Sequence, residues 1–335
     1  MKSIALALTT LATLMNSPGW AAEQTPFLLE RKISLGEVRG RIDHLAIDLR
    51  RNRLFVAELG NDSVGVVDLN ANKVIHAITG LKGPQGVGYV PSTDTLYVAN
   101  GGDGSVRLFS GGDFSEMDRI NLGEDADNVR VDVPANRVLV GYGHGALAVI
   151  APGVRKKIGD IALKAHPESF QLDRDTNRAF VNDPTNRAIA VIDLAMGKQT
   201  ASWPVGYDSN FPMALDGDAK HVIIAFRDPA KLGVFSMQDG APVASADLCA
   251  DADDMFVDAK RRRVYVSCGD GFLDVFDTRE GAYRRIAHIA TVPGARTSLF
   301  VPEMDRLFLA ARATPQEPAA VWVFMANFAS DESKP

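Results

Sequence analysis

The chain lacks the features that would indicate a membrane protein, a nucleic-acid-binding protein or a disulfide-rich scaffold. Only 23% of its 335 residues are charged, and only two are cysteines. Beyond the N-terminal segment no run of 18 apolar residues occurs, so we expect no transmembrane span. The net charge is −6 and no run of five or more lysine or arginine residues is present. We therefore expect no nucleic-acid partner.

The short motifs of several enzyme classes are also missing. There is no H-E-x-x-H of zinc proteases, no C-x-x-C-H for covalent haem, no G-x-S-x-G nucleophile elbow and no Walker A loop. The absence of a complete catalytic motif favours a binding or scaffold protein. A subunit of an electron-transfer enzyme ranks last among the hypotheses, because no cofactor motif is visible.

The first 21 residues have the pattern of a secretory signal peptide. Lys2 supplies a positive charge, residues 4–15 form a short apolar run, and Gly19-Trp20-Ala21 places small residues before a cleavage point. We predict cleavage after Ala21, which leaves residues 22–335 as the mature chain. Export from a bacterium would place that chain in the periplasm.

Seven similar segments fill the mature chain. Each has an apolar anchor residue in its second predicted strand, and the anchors are spaced by 42, 42, 41, 43, 42 and 43 residues. The anchors are Phe55, Tyr97, Leu139, Phe180, Ile223, Tyr265 and Phe308. The first unit contains four short strand-like segments, His44–Leu49, Arg53–Leu59, Val64–Leu69 and Lys73–Thr79. Four short antiparallel strands per repeat predict the blade of a β-propeller, and the absence of a 3.6-residue period excludes a helical solenoid.

The two ends of the chain complement each other. No fourth strand follows Val321–Phe324 in the last unit, and an additional strand, Phe27–Leu35, precedes the first unit. Pairing this N-terminal strand into the last blade would close the ring and remove its exposed edges. We therefore predict an all-β protein, in which residues 22–335 form one seven-bladed β-propeller.

Two segments resemble a known family of repeats. Leu96–Val106 (LYVANGGDGSV) and Arg53–Asp68 (RLFVAELGNDSVGVVD) are similar to the YVTN repeat of bacterial surface and periplasmic propellers, which include the YncE-like proteins. The resemblance covers the mature chain and implies the propeller fold and an extracytoplasmic location. Members and relatives range from binding proteins and scaffolds to lactonases and dehydrogenase subunits, so the fold does not settle the function.

A candidate site follows from the repeat. In a propeller the first strand of each blade lines the central channel, and the residue twelve positions before each anchor lies where that strand begins. These seven positions, which we call the funnel ring, are Asp43, Gln85, Asp127, Glu168, Phe211, Asp253 and Arg296. The loop after the second strand should open on the same face, with Glu58, Asn100, Tyr142, Asp183, Phe226, Cys268 and Ala311.

Carboxylates gathered around a narrow axis repel one another unless a cation compensates them. The sequence therefore predicts a ligand site, unless the same carboxylates cap turns instead. Its predicted residues are Asp43, His44, Gln85, Asp127, Asn128, Glu168, Asp253 and Arg296. The ligand would be a small molecule, a metal ion or a periplasmic partner protein, and the protein itself is expected to be a monomer.

A divalent metal is the one cofactor that the sequence points to. The candidate ligands Asp43, Asp127, Glu168 and Asp253 would suit Ca²⁺ or Mg²⁺. His44, His144 and His166 could add nitrogen ligands for Zn²⁺ or Cu²⁺. The alternative function is accordingly a metal-dependent hydrolase such as a lactonase, in which the metal activates water or a carbonyl. His44, beside Asp43, would then be the catalytic residue that moves the proton.

The two cysteines, Cys249 and Cys268, are both predicted on funnel-side loops of the sixth blade. An even pair in an oxidising compartment is usually bridged, so we predict a disulfide between them. A reactive thiol at Cys268 is the alternative.

Overall fold

Seven antiparallel four-stranded sheets make up the computed structural model, which describes residues 25–328. The predicted signal peptide lies outside this range. Three short 3-10 segments, Leu59–Asn61, Arg279–Gly281 and Pro302–Met304, join strands at turns. No helix in the described range is long and apolar enough to cross a membrane. The predicted seven-bladed β-propeller is confirmed.

Each of the first six blades uses four consecutive strands. They are β2–β5 (Leu45–Asp48, Arg53–Glu58, Ser63–Asp68, Lys73–Ile78), β6–β9 (Pro84–Val90, Thr95–Asn100, Ser105–Ser110, Glu116–Asn121), β10–β13 (Ala126–Asp132, Arg137–Tyr142, Ala146–Ala151, Lys156–Ala162), β14–β17 (Phe170–Asp173, Arg178–Asp183, Ala188–Asp193, Lys198–Pro204), β18–β21 (Asp208–Asp216, His221–Asp228, Ala230–Ser236, Pro242–Asp247) and β22–β25 (Ala252–Asp258, Arg263–Cys268, Phe272–Asp277, Arg284–Ala290).

The seventh blade contains both ends of the described chain. Its strands are β1 (Phe27–Gly36), β26 (Ser298–Val301), β27 (Arg306–Ala311) and β28 (Ala319–Ala326), in the order β1-β28-β27-β26. The N-terminal strand β1 pairs antiparallel with β28, so that Phe27 lies opposite Ala326. The prediction that this strand closes the ring is confirmed.

The seven anchor residues form the hydrophobic contact between blades. All of them are fully buried, because each lies on the second strand of its blade and faces a neighbouring sheet. The outermost strands are much more exposed, as the alternation in β17 shows. The core therefore lies between the sheets, and the first strands remain free to surround the axis.

Ion pairs join neighbouring blades at the end of the propeller opposite the funnel ring. Arg51 lies 2.7 Å from Asp48 of its own blade and 2.7 Å from Asp94 of the next. Arg261 repeats this arrangement, 2.9 Å from Asp258 and 2.8 Å from Asp305. Some of the many acidic residues of the chain therefore serve to stabilise the fold.

The disulfide joins the segment before β22 to the end of β23. Cys249 and Cys268 are bonded to each other, with Cα atoms 5.8 Å apart, a separation typical of disulfides. Both residues are buried, so the bond ties the first two strands of the sixth blade together at the funnel end.

Candidate functional site

The funnel ring converges on one cavity of about 200 Å³ at the end of the propeller where the first strands begin. All seven ring residues line it, because the closed ring brings equivalent positions of the blades to the same height around the axis. His44 and Asn128, each one residue further along, line it as well. The structure thus brings together every residue of the predicted ligand site.

A second cavity, the central channel, lies beside this one and has a volume of about 290 Å³. Its walls come from the first strands and are largely apolar, with Val87, Met213 and Leu299 among them. His44 and Ser169 line both cavities. The two spaces are therefore adjacent along the axis.

The expectation that residues after the second strand open into the funnel is not met for its polar members. Ser63 donates to Glu58 at 2.5 Å, and the backbone N–H of Lys82 donates to the Asn100 Oδ1 atom at 3.1 Å. Asp183 accepts the backbone N–H of Asn186 at 2.9 Å. These side chains are buried in the turns beside them. Their polar groups therefore form local hydrogen bonds and do not face the funnel.

Ion pairs neutralise two of the four ring carboxylates. Asp43 lies 2.8 Å from Arg41. Asp253 lies 2.5 Å from Arg227 and 2.8 Å from Arg296. The ring arginine is therefore a counter-ion within the protein. Arg227 also stacks on the ring of Phe211, with its guanidinium carbon 3.9 Å from the ring centroid.

His44 is held between two carboxylates. Its Nδ1 atom is 3.3 Å from the Oδ1 atom of Asp254, and its Nε2 atom is 3.7 Å from the Oδ1 atom of Asp43. Burial by itself would lower the pKa of His44, but the two carboxylates outweigh it and raise that pKa to about 10. His44 is an imidazolium at neutral pH, and in that form it can donate hydrogen bonds but cannot accept a proton.

Asp127 and Glu168 differ from the other ring carboxylates. They belong to neighbouring blades, and within residues 25–328 neither carboxylate makes an ion pair or a hydrogen bond with a protein group. Burial raises the pKa of Asp127 to about 7, and the nearby charges of Asp43 and Glu168 add to the effect while His44 opposes it. Burial likewise raises the pKa of Glu168. We call this pair the acidic wall of the funnel.

Asn128 adds an unsatisfied acceptor next to the acidic wall. Its side chain is 3% exposed, and its Oδ1 atom has no hydrogen-bond partner within residues 25–328. Buried polar atoms are almost always hydrogen-bonded in folded proteins. A buried amide oxygen left without a donor at a cavity wall points to a donor that a ligand supplies.

The predicted metal ligands line the cavity without forming a compact coordination sphere. Among the described residues, one group of three His, Cys, Asp or Glu brings its ligand atoms within 4.8 Å of one another, namely Cys249, Cys268 and Asp270. The two sulfur atoms of that group are already joined in the disulfide. His166 lines the funnel cavity, whereas the side chain of His144 is 95% exposed beside Glu124.

Sequence reasoning missed several charged residues of the site. Arg41, Asp125 and Asp251 each precede a ring residue by two positions, as His166 also does. All of them lie in the loops that enter the first strands, so the ring alignment shifted by two positions was the signal that could have found them. Arg130 of the central channel lies on the first strand itself and was missed because only strand entrances were compared.

Comparisons with known proteins add the fold and no more. No family model matches the chain, and no curated protein matches it in sequence. The structure is similar to a chain of hydrazine synthase from Kuenenia stuttgartiensis, with a TM-score of 0.74 and 17% identity over 84% of this chain and 94% of that one. It is also similar to a chain of a mitotic checkpoint complex, with a TM-score of 0.74 and 13% identity over 96% and 99% of the two chains. The TM-scores show a shared β-propeller fold, and at identities this low the likeness shows the fold alone.

Proposed function

We propose that this protein is a periplasmic binding protein whose funnel holds the positively charged group of a small polar molecule. The observation that carries the proposal is the acidic wall. Asp43 and Asp253 have arginine partners, whereas Asp127 and Glu168 have none. Two unpaired carboxylates in a partly buried cavity raise each other's free energy, and a bound ammonium group would relieve that cost.

The neighbouring groups fit an ammonium ligand. The unsatisfied Oδ1 atom of Asn128 offers a third acceptor for its N–H donors. The disulfide supports an oxidising compartment, in agreement with the proposed export. Membership of the YVTN and YncE-like family is part of the same proposal, and its support is the repeat pattern together with the seven-bladed fold.

The hydrolase alternative needs a general base other than His44. An imidazolium paired with Asp254 is not a general base at neutral pH. Asp127, with its pKa raised to about 7, is suited to that role. If the funnel catalyses hydrolysis of a lactone, we therefore assign the base to Asp127 and hydrogen-bond donation to His44.

Calorimetric titration of the folded protein with ethylamine and putrescine tests the binding function. We expect a saturable heat with the wild-type protein and at least a tenfold loss of affinity in Asp127→Asn and Glu168→Gln. The matched control is Asp175→Asn, because Asp175 is 76% exposed and lies in a turn at the opposite end of the propeller. Absence of amine binding, or equal binding by all variants, would refute the proposal.

Two further arms separate the alternatives. Titration with Ca²⁺, Mg²⁺ and Zn²⁺ in place of the amines tests the metal site, and binding of a metal but of no amine would overturn the organic-cation proposal. Lactone hydrolysis that is lost in Asp127→Asn and retained in Asp175→Asn would replace binding by catalysis as the function.

A further inference from the structure

Arg130 lines the central channel without a counter-ion in contact. Its Nε atom donates to the carbonyl of Phe170 at 2.9 Å, and its Nη1 atom donates to the carbonyl of Val129 at 3.1 Å. Its Nη2 atom is 3.5 Å from the Oγ atom of Ser169. No carboxylate of the described residues lies within 4 Å of the guanidinium. Three of its five N–H donors are thus engaged by neutral acceptors, and two remain free.

The channel lining carries an excess of positive charge. His44 and Arg130 are its cations and Asp254 is its one carboxylate. Asp254 is already engaged, since it pairs with His44 and accepts the backbone N–H of Ser298 at 2.8 Å. Burial lowers the pKa of Arg130, and the more distant charges of Asp254 and Asp127 oppose that effect; an arginine remains protonated in proteins. A positively charged group in a cavity without a negatively charged partner in contact favours binding of an anionic ligand.

The remaining wall of the channel restricts the kind of anion. Val129, Met213, Met255 and Leu299 present apolar groups to the same space. A volume of about 290 Å³ accommodates a small organic molecule. A strongly hydrated inorganic anion gains little from such a wall, whereas a hydrocarbon chain buries its surface against it.

We infer that the central channel binds a short-chain monocarboxylate, whose carboxylate pairs with Arg130 and whose hydrocarbon part lies against Met213 and Met255. Arg–carboxylate pairs are frequently bidentate, and Arg130 has the free donors for such a pair. The acidic wall is formed by other residues and attracts the opposite charge, so the two proposals are tested with different ligands and different variants.

The test is calorimetric titration of the wild-type protein, in a buffer without small carboxylates, with propionate and with its neutral analogue propionamide. We expect propionate to bind at least tenfold more tightly than propionamide, because hydrogen bonds between two charged groups are stronger than those to a neutral amide. This comparison needs no variant, so it does not depend on how well a substituted channel folds. Equal binding of the two, binding of neither, or equal binding of chloride would overturn the inference.

A variant comparison locates the site. We expect Arg130→Gln to weaken propionate binding roughly 10- to 100-fold and Arg130→Lys to retain part of it. Arg39→Gln is the matched control, since the side chain of Arg39 is 82% exposed. Circular dichroism verifies that each variant is folded. Propionate binding that is unchanged in folded Arg130→Gln would contradict the assignment, whatever the outcome of the amine titrations.

Discussion

The charge of His44 depends on the carboxylate of Asp254, and the substitution Asp254→Asn tests this dependence. The two side chains approach to 3.3 Å, and His44, whose side chain is 18% exposed, lies in the wall between the funnel and the channel. Asn removes the negative charge but keeps an oxygen that can accept the N–H of Ser298, as Asp254 does now. The substitution therefore changes the electrostatics of the site and leaves its hydrogen-bonded frame in place.

The magnitude follows from the pKa of His44. Burial opposes the charged form and Asp254 more than compensates, so the pKa rises from 6.5 to about 10. A raised pKa means that the folded state binds the proton more tightly than the unfolded state does. The resulting stabilisation is complete below pH 6.5 and is lost as the pH rises through about 10. Its upper limit is ~5 kcal/mol.

In Asp254→Asn the burial remains and the main compensating charge is gone. We therefore expect the pKa of His44 to fall by at least two units, and the decline of stability between pH 6.5 and 10 to become much shallower. NMR titration of the imidazole protons measures the first effect, with His44→Gln identifying the resonance. Urea unfolding at intervals of pH measures the second, and Asp175→Asn serves as the control for loss of a surface charge.

Two results would refute this reasoning. One is a wild-type His44 resonance that titrates near pH 6.5, which would mean that Asp254 does not hold the proton. The other is an unchanged pKa in Asp254→Asn. Either result would also restore His44 as a candidate general base and reopen the mechanism in which it moves the proton.

Three other predictions concern stability. The pKa of Asp127 is raised from 3.8 to about 7, so the protein loses stability as the pH rises between these values and the buried carboxyl group ionises. In urea titrations, Asp127→Asn should therefore raise the unfolding free energy at pH 8 by up to ~4 kcal/mol and change it little at pH 4. Arg261→Ala should lower the unfolding free energy by about 3–5 kcal/mol, because it leaves the buried Asp258 without its positively charged partner. The exposed substitution Arg39→Ala should lower it by less than about 0.5 kcal/mol, and equal losses would contradict a stabilising role for the Arg261 ion pairs. Deletion of Phe27–Gly36 should expose the edge of β28 and produce association detectable by light scattering, and a monodisperse monomer of unchanged melting temperature would contradict the role of β1 in closure.

The sequence was sufficient to predict the fold because the propeller repeats one local pattern. Phe55, Tyr97 and the other anchors recur at nearly constant spacing, and the interface between blades requires a buried residue at that position in every copy. The missing last strand and the additional first strand then left one way to close the ring. The same alignment predicted the funnel ring, because equivalent positions in a closed ring share one height on the axis.

The internal pairing of the site could not be predicted in this way. Asp253 and Asp127 occupy equivalent positions in the sequence, yet Asp253 lies between two arginines and Asp127 has no partner in the described part of the chain. Arg296 is itself a ring position, but the alignment does not say which carboxylate it pairs with, and Arg227 lies on β19, outside the ring. The alignment also placed Glu58 at the funnel, whereas its carboxylate is buried in a turn and accepts a hydrogen bond from Ser63.

The contrast between two sets of aspartates separates structure from function in this propeller. Asp48 and Asp258, at the end opposite the funnel, recur at the same position of the repeat and pair with Arg51 and Arg261 of their own blades. These two arginines in turn reach Asp94 and Asp305 of the next blades. Asp127 forms no such pair, and its burial destabilises the charged form. A fold that needs only stability would gain from Asn or Ser at this position. Retention of an ionisable group where it weakens the fold is expected at a site that binds or transforms a ligand.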